Sequence, residues 1–127
     1  VPQRARYFLR RVHKDQIRGD TLAYGAFKPN SGDIDGISIY DANLVTPDQL
    51  KENARNPPDH YRVAKVAESE FLRLGLSIVK TVDPGGLPGH HVVPEINFTA
   101  YKSSDPVHRA HLKQILDDLV NIADFAD

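Results

Sequence analysis

The residues best equipped for chemistry in this sequence are Arg10-Arg11-Val12-His13-Lys14. Guanidinium groups bind phosphate or carboxylate through paired N–H donors, and an imidazole moves a proton near neutral pH. On an extended chain, side chains alternate between faces, so Arg11 and His13 share one face and Arg10 takes the other. Arg11 and His13 are thereby able to share one anion, and Arg10 and Lys14 are further candidate binding groups. The plain alternative is an arginine lying along a sheet and a histidine making one hydrogen bond in a turn.

A second pair, His90-His91, follows Gly85-Gly86-Leu87-Pro88-Gly89. Glycine and proline make that turn, and the apolar residues beyond it read as a strand. Neighbouring strand residues face opposite ways, so at most one of the two histidines serves a given site. His90 paired with His13 would supply the two proton-transfer groups that cut a phosphodiester by its own 2′-hydroxyl without metal. Arg11 or Lys14 would then steady the phosphorane oxygens. His91 is a binding candidate on the other face.

His108 and His111 stand three residues apart on a predicted helix, a spacing that can present two nitrogens to zinc or nickel. A third ligand would have to come from His60, His90, His91 or a carboxylate. There is no HExxH pattern, so two neutral, hydrogen-bonded histidines are the plainer expectation, and no metal or cofactor is expected. The stretch Asn30 to Gly36 fails as a calcium loop, because Ser31 and Ala42 fall at key ligand positions. Asn97-Phe98-Thr99 matches a glycosylation sequon but reads as strand sequence. No P-loop, GxGxxG or GxSxG occurs. Ser38 sits on a strand without a nucleophile elbow, and is a candidate binding residue.

The elements that must position these groups can be read in order. Ala5 to Val12 alternates as a strand, with Tyr7 and Leu9 on one face and Phe8, Arg10 and Val12 on the other. Thr21 to Phe27 reads as a second strand. In Gly36 to Tyr40, Ile37 and Ile39 should face the core while Ser38 and Tyr40 face away. These three strands are expected to form an antiparallel sheet. Thr46, Pro47 and Gln49 announce a helix with a capping box, and Val45 and Leu50 can staple its start. Tyr61 to Val66 is a strand, Glu68 to Leu74 a brief helix capped by Gly75, and Leu76 to Val82 another strand, with Leu76, Ile78 and Val82 on one face. Asp83-Pro84-Gly85-Gly86 turns the chain. Val92-Val93 and Ile96 to Tyr101 read as extended, with Pro94 marking an edge strand or a bulge. Asp105 and Pro106 start the last helix, whose stripe of Leu112, Ile115, Leu116, Leu119, Ile122 and Ala123 should bury, with His108 and His111 extending it. The expected fold is α+β: one domain over residues 1–127, a mainly antiparallel sheet with one long C-terminal helix packed on it, and two short helices.

Bulk composition fits a folded globule: 127 residues, 40% hydrophobic, 26% charged, net charge -1. Without cysteine there is no disulfide framework, thiolate metal site or cysteine nucleophile. No apolar run is long enough to span a bilayer and no signal-peptide core opens the sequence, so a cytoplasmic setting is expected. With methionine absent, Val1 is not expected to be the initiating residue. Charge is uneven: Arg4, Arg6, Arg10, Arg11, Lys14 and Arg18 crowd the opening, while Asp117, Asp118, Asp124 and Asp127 crowd the end. A basic opening can meet phosphate or an acidic partner.

Arg10-Arg11-Val12-His13, Ala26-Phe27, Asp35-Gly36-Ile37-Ser38-Ile39-Tyr40, Thr46-Pro47, Tyr61-Arg62-Val63-Ala64, Leu74-Gly75-Leu76 and Pro88-Gly89-His90 occur in an order that resembles a group of small uncharacterised bacterial proteins. The likeness runs from Arg10 to Val93 and departs at Lys14, where the group carries proline. It implies a bacterial origin, draws attention to His13, Ser38 and His90, and brings no activity with it. The leading expectation is therefore a small accessory or binding module whose Arg/His face takes an anionic ligand or a partner protein. The alternatives are a metal-independent ribonuclease or nucleotide phosphodiesterase using His13 and His90, and a non-catalytic subunit of a larger complex. Nucleic acid is a weaker candidate partner, and no membrane is expected.

Overall fold

A computed structural model describes residues 5–82 and 87–127. Arg4 of the basic opening and the turn expected at residues 83–86 lie outside the described residues. The strands are β1 (Tyr7–His13), β2 (Ile17–Arg18), β3 (Thr21–Leu22), β4 (Ile37–Asp41), β5 (Tyr61–Ala67), β6 (Val79–Lys80), β7 (His90–Val93) and β8 (Asp124–Phe125). The helices are α1 (Pro47–Glu52), α2 (Glu68–Arg73), α3 (Phe98–Tyr101) and α4 (Pro106–Ile122). Six strands form one antiparallel sheet in the order β6-β7-β4-β1-β5-β8, and β2 and β3 form a separate small ribbon. The architecture is α+β, with the long C-terminal helix α4 packed on the sheet and short helices around it.

Alternation decides which side chains meet α4. Phe8, Val12, Ile37, Ile39, Ala64 and Val66 project from one face and bury with Leu112, Ile115, Leu116 and Leu119 of α4. Leu9, Tyr40 and Val63 project from the other face and bury with Val45, Leu50 and Leu87. Helix α1 therefore covers the second face through Leu50. Thr46 Oγ1 accepts from the Gln49 N–H and the Gln49 side chain accepts from the Thr46 N–H, which closes the capping box. Gly75, at φ 78°, stops α2, a conformation that L side chains rarely adopt.

Several expected elements differ. Thr21 to Phe27 is extended only at Thr21–Leu22; Ala23 N–H bonds the Gln16 carbonyl, and Tyr24–Phe27 then coils as a 3-10 turn. The Leu76 to Val82 stretch pairs only at Val79–Lys80, and its ends do not share a face: Leu76 is 3% exposed and Val82 91%. Phe98 to Tyr101 is the helix α3, because Asn97 Oδ1 accepts from the Ala100 N–H at 2.8 Å and caps a helical turn. Among the described residues the short α-helices thus number three, where two were expected. Strand β7 lies inside the sheet, between β6 and β4, and Pro94 falls just past its end, where no ladder bond is asked of it. His108 and His111 are exposed: the buried stripe of α4 starts at Leu112, and its first turns run clear of the sheet.

Candidate functional site

Strands β1 and β4 pair at Phe8–Asp41 and Leu9–Tyr40, whereas β1 stays with β5 as far as His13–Tyr61. A cleft of about 520 Å³ lies along the later half of β1, lined by Arg10, Arg11, His13, Ser38, Tyr40 and Tyr61, with Asp15, Gln16, Lys28, Asn30 and Asp33 at its other walls.

Arg10 is the tie across this opening. Its Nε donates to the Ala26 carbonyl at 2.9 Å, Nη1 to the Ser38 carbonyl at 3.0 Å and Nη2 to the Lys28 carbonyl at 3.4 Å. Burial pulls its pKa down to about 10, while the charge of Asp33 works the other way. It therefore stays protonated at neutral pH, with its fork committed to main-chain oxygens. Arg11 projects from the other face, as alternation requires. Its Nη1 donates to the Leu50 carbonyl at 2.8 Å, and its guanidinium carbon lies 5.5 Å from the Tyr61 ring centre. Its other N–H groups have no protein partner among the described residues.

His13 Nδ1 accepts from the Asp15 N–H at 3.1 Å, so the neutral ring carries its proton on Nε2. The Asp15 carboxylate lies 3.3 Å from the same Nδ1 and can pair with the ring when it is protonated. His60 and Tyr61 stand edge-on to the ring at 6.0 and 5.5 Å.

Ser38 leads from the cleft wall to His90. Its Oγ lies 2.8 Å from His90 Nε2, and the opposite nitrogen, Nδ1, meets Thr81 Oγ1 in a short hydrogen bond. The sheet sets this up: Tyr40 pairs with His90 and Ser38 with Val92, so Ser38 and His90 are diagonal neighbours on one face. The Tyr40 ring lies 5.2 Å from the imidazole. His90 thus meets the cleft through the serine hydroxyl.

The remaining candidates lie elsewhere. His91 turns to the α4 face and is 5% exposed. Its Nδ1 bonds the Gly89 carbonyl at 2.8 Å, the Phe8 ring stands edge-on at 5.0 Å, and Arg6 Nη2 lies 3.5 Å from Nε2. Arg6 also bonds Asp41 at 2.9 Å and Glu68 at 3.1 Å. Burial opposes ionisation of Asp41, but the Asn43 N–H and Arg6 outweigh it and hold the carboxyl below its ordinary value. Lys14 is exposed outside the cleft lining. Among the described residues no three His, Asp or Glu side chains converge as metal ligands, so His108 and His111 have no third donor. Sequence reasoning missed Thr81, Tyr61 and Asp33. Only Thr81 left a trace there, as a hydroxyl on the strand that returns beside His90.

No family model, curated protein or solved structure matches this chain.

Proposed function

We propose that the protein is a small binding module whose cleft between β1 and β4 takes an anionic small ligand. The observation that carries the reading is that Arg10, Arg11, His13 and Ser38, from two strands far apart in sequence, border one opening. Arg10 shapes that opening through its three carbonyl partners. Arg11 offers its remaining N–H groups, and His13 offers Nε2–H, to a phosphate or carboxylate. Asp15 and Asp33 also border the cleft and bring the opposite sign. They favour a ligand with one anionic group and a polar remainder over an extended polyanion such as RNA.

The ribonuclease or phosphodiesterase alternative asks for two imidazoles at one scissile bond. His13 lines the cleft, whereas His90 meets it through Ser38, so the two-histidine plan has less support than ligand binding. No observation favours a role as a non-catalytic subunit over either.

The test is a titration with inorganic phosphate, succinate and a nucleoside monophosphate, followed by NMR shifts of the His13 and Arg11 amides. One of the three is expected to saturate those shifts. Arg11→Gln is expected to weaken that ligand at least tenfold, the worth of one or two charge-assisted hydrogen bonds at about 1.5–3 kcal/mol each. Shifts that never saturate with any of the three, or an Arg11→Gln protein that binds equally well, overturn the reading.

A further inference from the structure

We propose that Ser38 is a nucleophile, with His90 as its general base and Thr81 as the residue that orients His90, acting on a carboxylic ester that bears a negative charge. The charge requirement rests on the reading of the cleft as an anion site, because Arg11 is the group that would hold it. Serine attack needs a base within hydrogen-bond reach and a third group holding that base. Ser38 Oγ lies 2.8 Å from His90 Nε2, and Thr81 Oγ1 occupies Nδ1 on the other side of the ring. The Thr81 hydroxyl also reaches the Val82 carbonyl, 3.3 Å away. A hydroxyl that donates to a carbonyl accepts from Nδ1–H, which leaves Nε2 to accept the serine proton. Both reacting residues sit on paired central strands, so their separation is fixed by the sheet rather than by a mobile loop.

The step balances without any other reactant than water. Ser38 Oγ forms a bond to the ester carbonyl carbon, and its proton passes to His90 Nε2. The carbon–oxygen bond to the alcohol breaks, and that proton leaves with the alkoxide. Water then attacks the acyl-serine with the same histidine as base, so ester and water become acid and alcohol.

The experiment uses the whole chain with three probes: a neutral fluorophosphonate, mono-4-nitrophenyl succinate and 4-nitrophenyl acetate. Mass spectrometry is expected to find one phosphonyl group on the Ser38 peptide. Ser38→Ala should abolish it and His90→Gln should slow it at least a hundredfold. Thr81→Val should slow labelling and Thr81→Ser restore it, as an orienting hydroxyl requires. The succinate ester should release nitrophenolate at least tenfold faster than the acetate, and Arg11→Gln should erase that preference. An unlabelled Ser38 in the unaltered protein, or equal labelling in His90→Gln, overturns the nucleophile and leaves the Ser38–His90 bond as a tie between strands. Labelling at Ser38 with no preference for the succinate ester overturns instead the charged substrate, and the anion site beneath it stands or falls by the titration with phosphate, succinate and a nucleoside monophosphate.

Discussion

Arg10 shows how a side chain with apparent binding chemistry can belong to the fold. Three main-chain carbonyls from Ala26, Lys28 and Ser38 converge on its guanidinium, and its carbon lies 6.0 Å from the centre of the buried Phe27 ring. An ammonium cannot reproduce that planar fork, so Arg10→Lys is not a conservative change here. Arg10→Met leaves the same carbonyls without a donor. Hydrogen bonds to a charged group contribute about 1.5–3 kcal/mol each, and leaving a buried acceptor unpaired costs about 1–3 kcal/mol. Arg10→Met is expected to lower unfolding free energy by at least about 3 kcal/mol in urea, and Arg10→Lys by less. A loss under about 1 kcal/mol in both would mean that solvent already serves these carbonyls. Alternation alone assigns Arg10 and Arg11 to opposite faces. It cannot say which of them is occupied, because Arg10's partners come from a loop and strand far along the chain.

At the level of elements, what the sequence makes legible is whatever is decided locally. Thr46, Pro47 and Gln49 stop and start the chain within four residues, and the capping box forms as their spacing requires. The α4 stripe from Leu112 to Leu119 is equally local. Alternation likewise puts Ser38 opposite Ile37 and Ile39, and so turns it towards the cleft face. Illegible stretches are those where a side chain diverts the backbone. Asn97-Phe98-Thr99-Ala100-Tyr101 has the aromatic and β-branched content of a strand, yet one side-chain oxygen on the Ala100 N–H turns it into α3. Asn97 Nδ2 also bonds the Pro94 carbonyl at 2.9 Å, so the cap and the turn after β7 share one residue. Asn97→Ala therefore loses a cap, typically about 1 kcal/mol, together with this second bond. It is expected to cost about 1–2 kcal/mol and to raise amide exchange at Ala100 and Tyr101 ahead of the β7 amides. Unchanged exchange in α3 would show that packing alone holds it.

Over the whole molecule, two carboxylates anchored at different places should set the acid limit of stability. Asp41, at the end of β4, is held by the Asn43 N–H and Arg6 against an opposing cost of burial. Asp127 lies where α1 meets β5. Its carboxylate pairs with Lys51, accepts from Arg62 Nε at 3.2 Å and accepts from the Val63 N–H at 3.3 Å. Burial again opposes the charge, and the Lys51 hydrogen bond leads the contributions that outweigh it. Both carboxyls thus sit below their ordinary value in the folded protein, so the unfolded chain binds more protons as pH falls. Their stabilisation is complete above the unfolded pKa of about 3.9 and disappears as pH drops through the lower folded values. Stability should therefore be level near neutral pH and decline from about pH 5 downwards. Asp41→Asn and Asp127→Asn should each lower stability at pH 7 and flatten that decline. Because the two sites share no partner, their losses should add to within about 0.5 kcal/mol in the double variant. Urea melts at pH 7, 5, 4 and 3 decide the matter: an acid slope unchanged in both single variants would assign the decline to other carboxylates. A double loss well short of the sum would mean that the α1 clamp and the Arg6 cluster unfold as one cooperative piece.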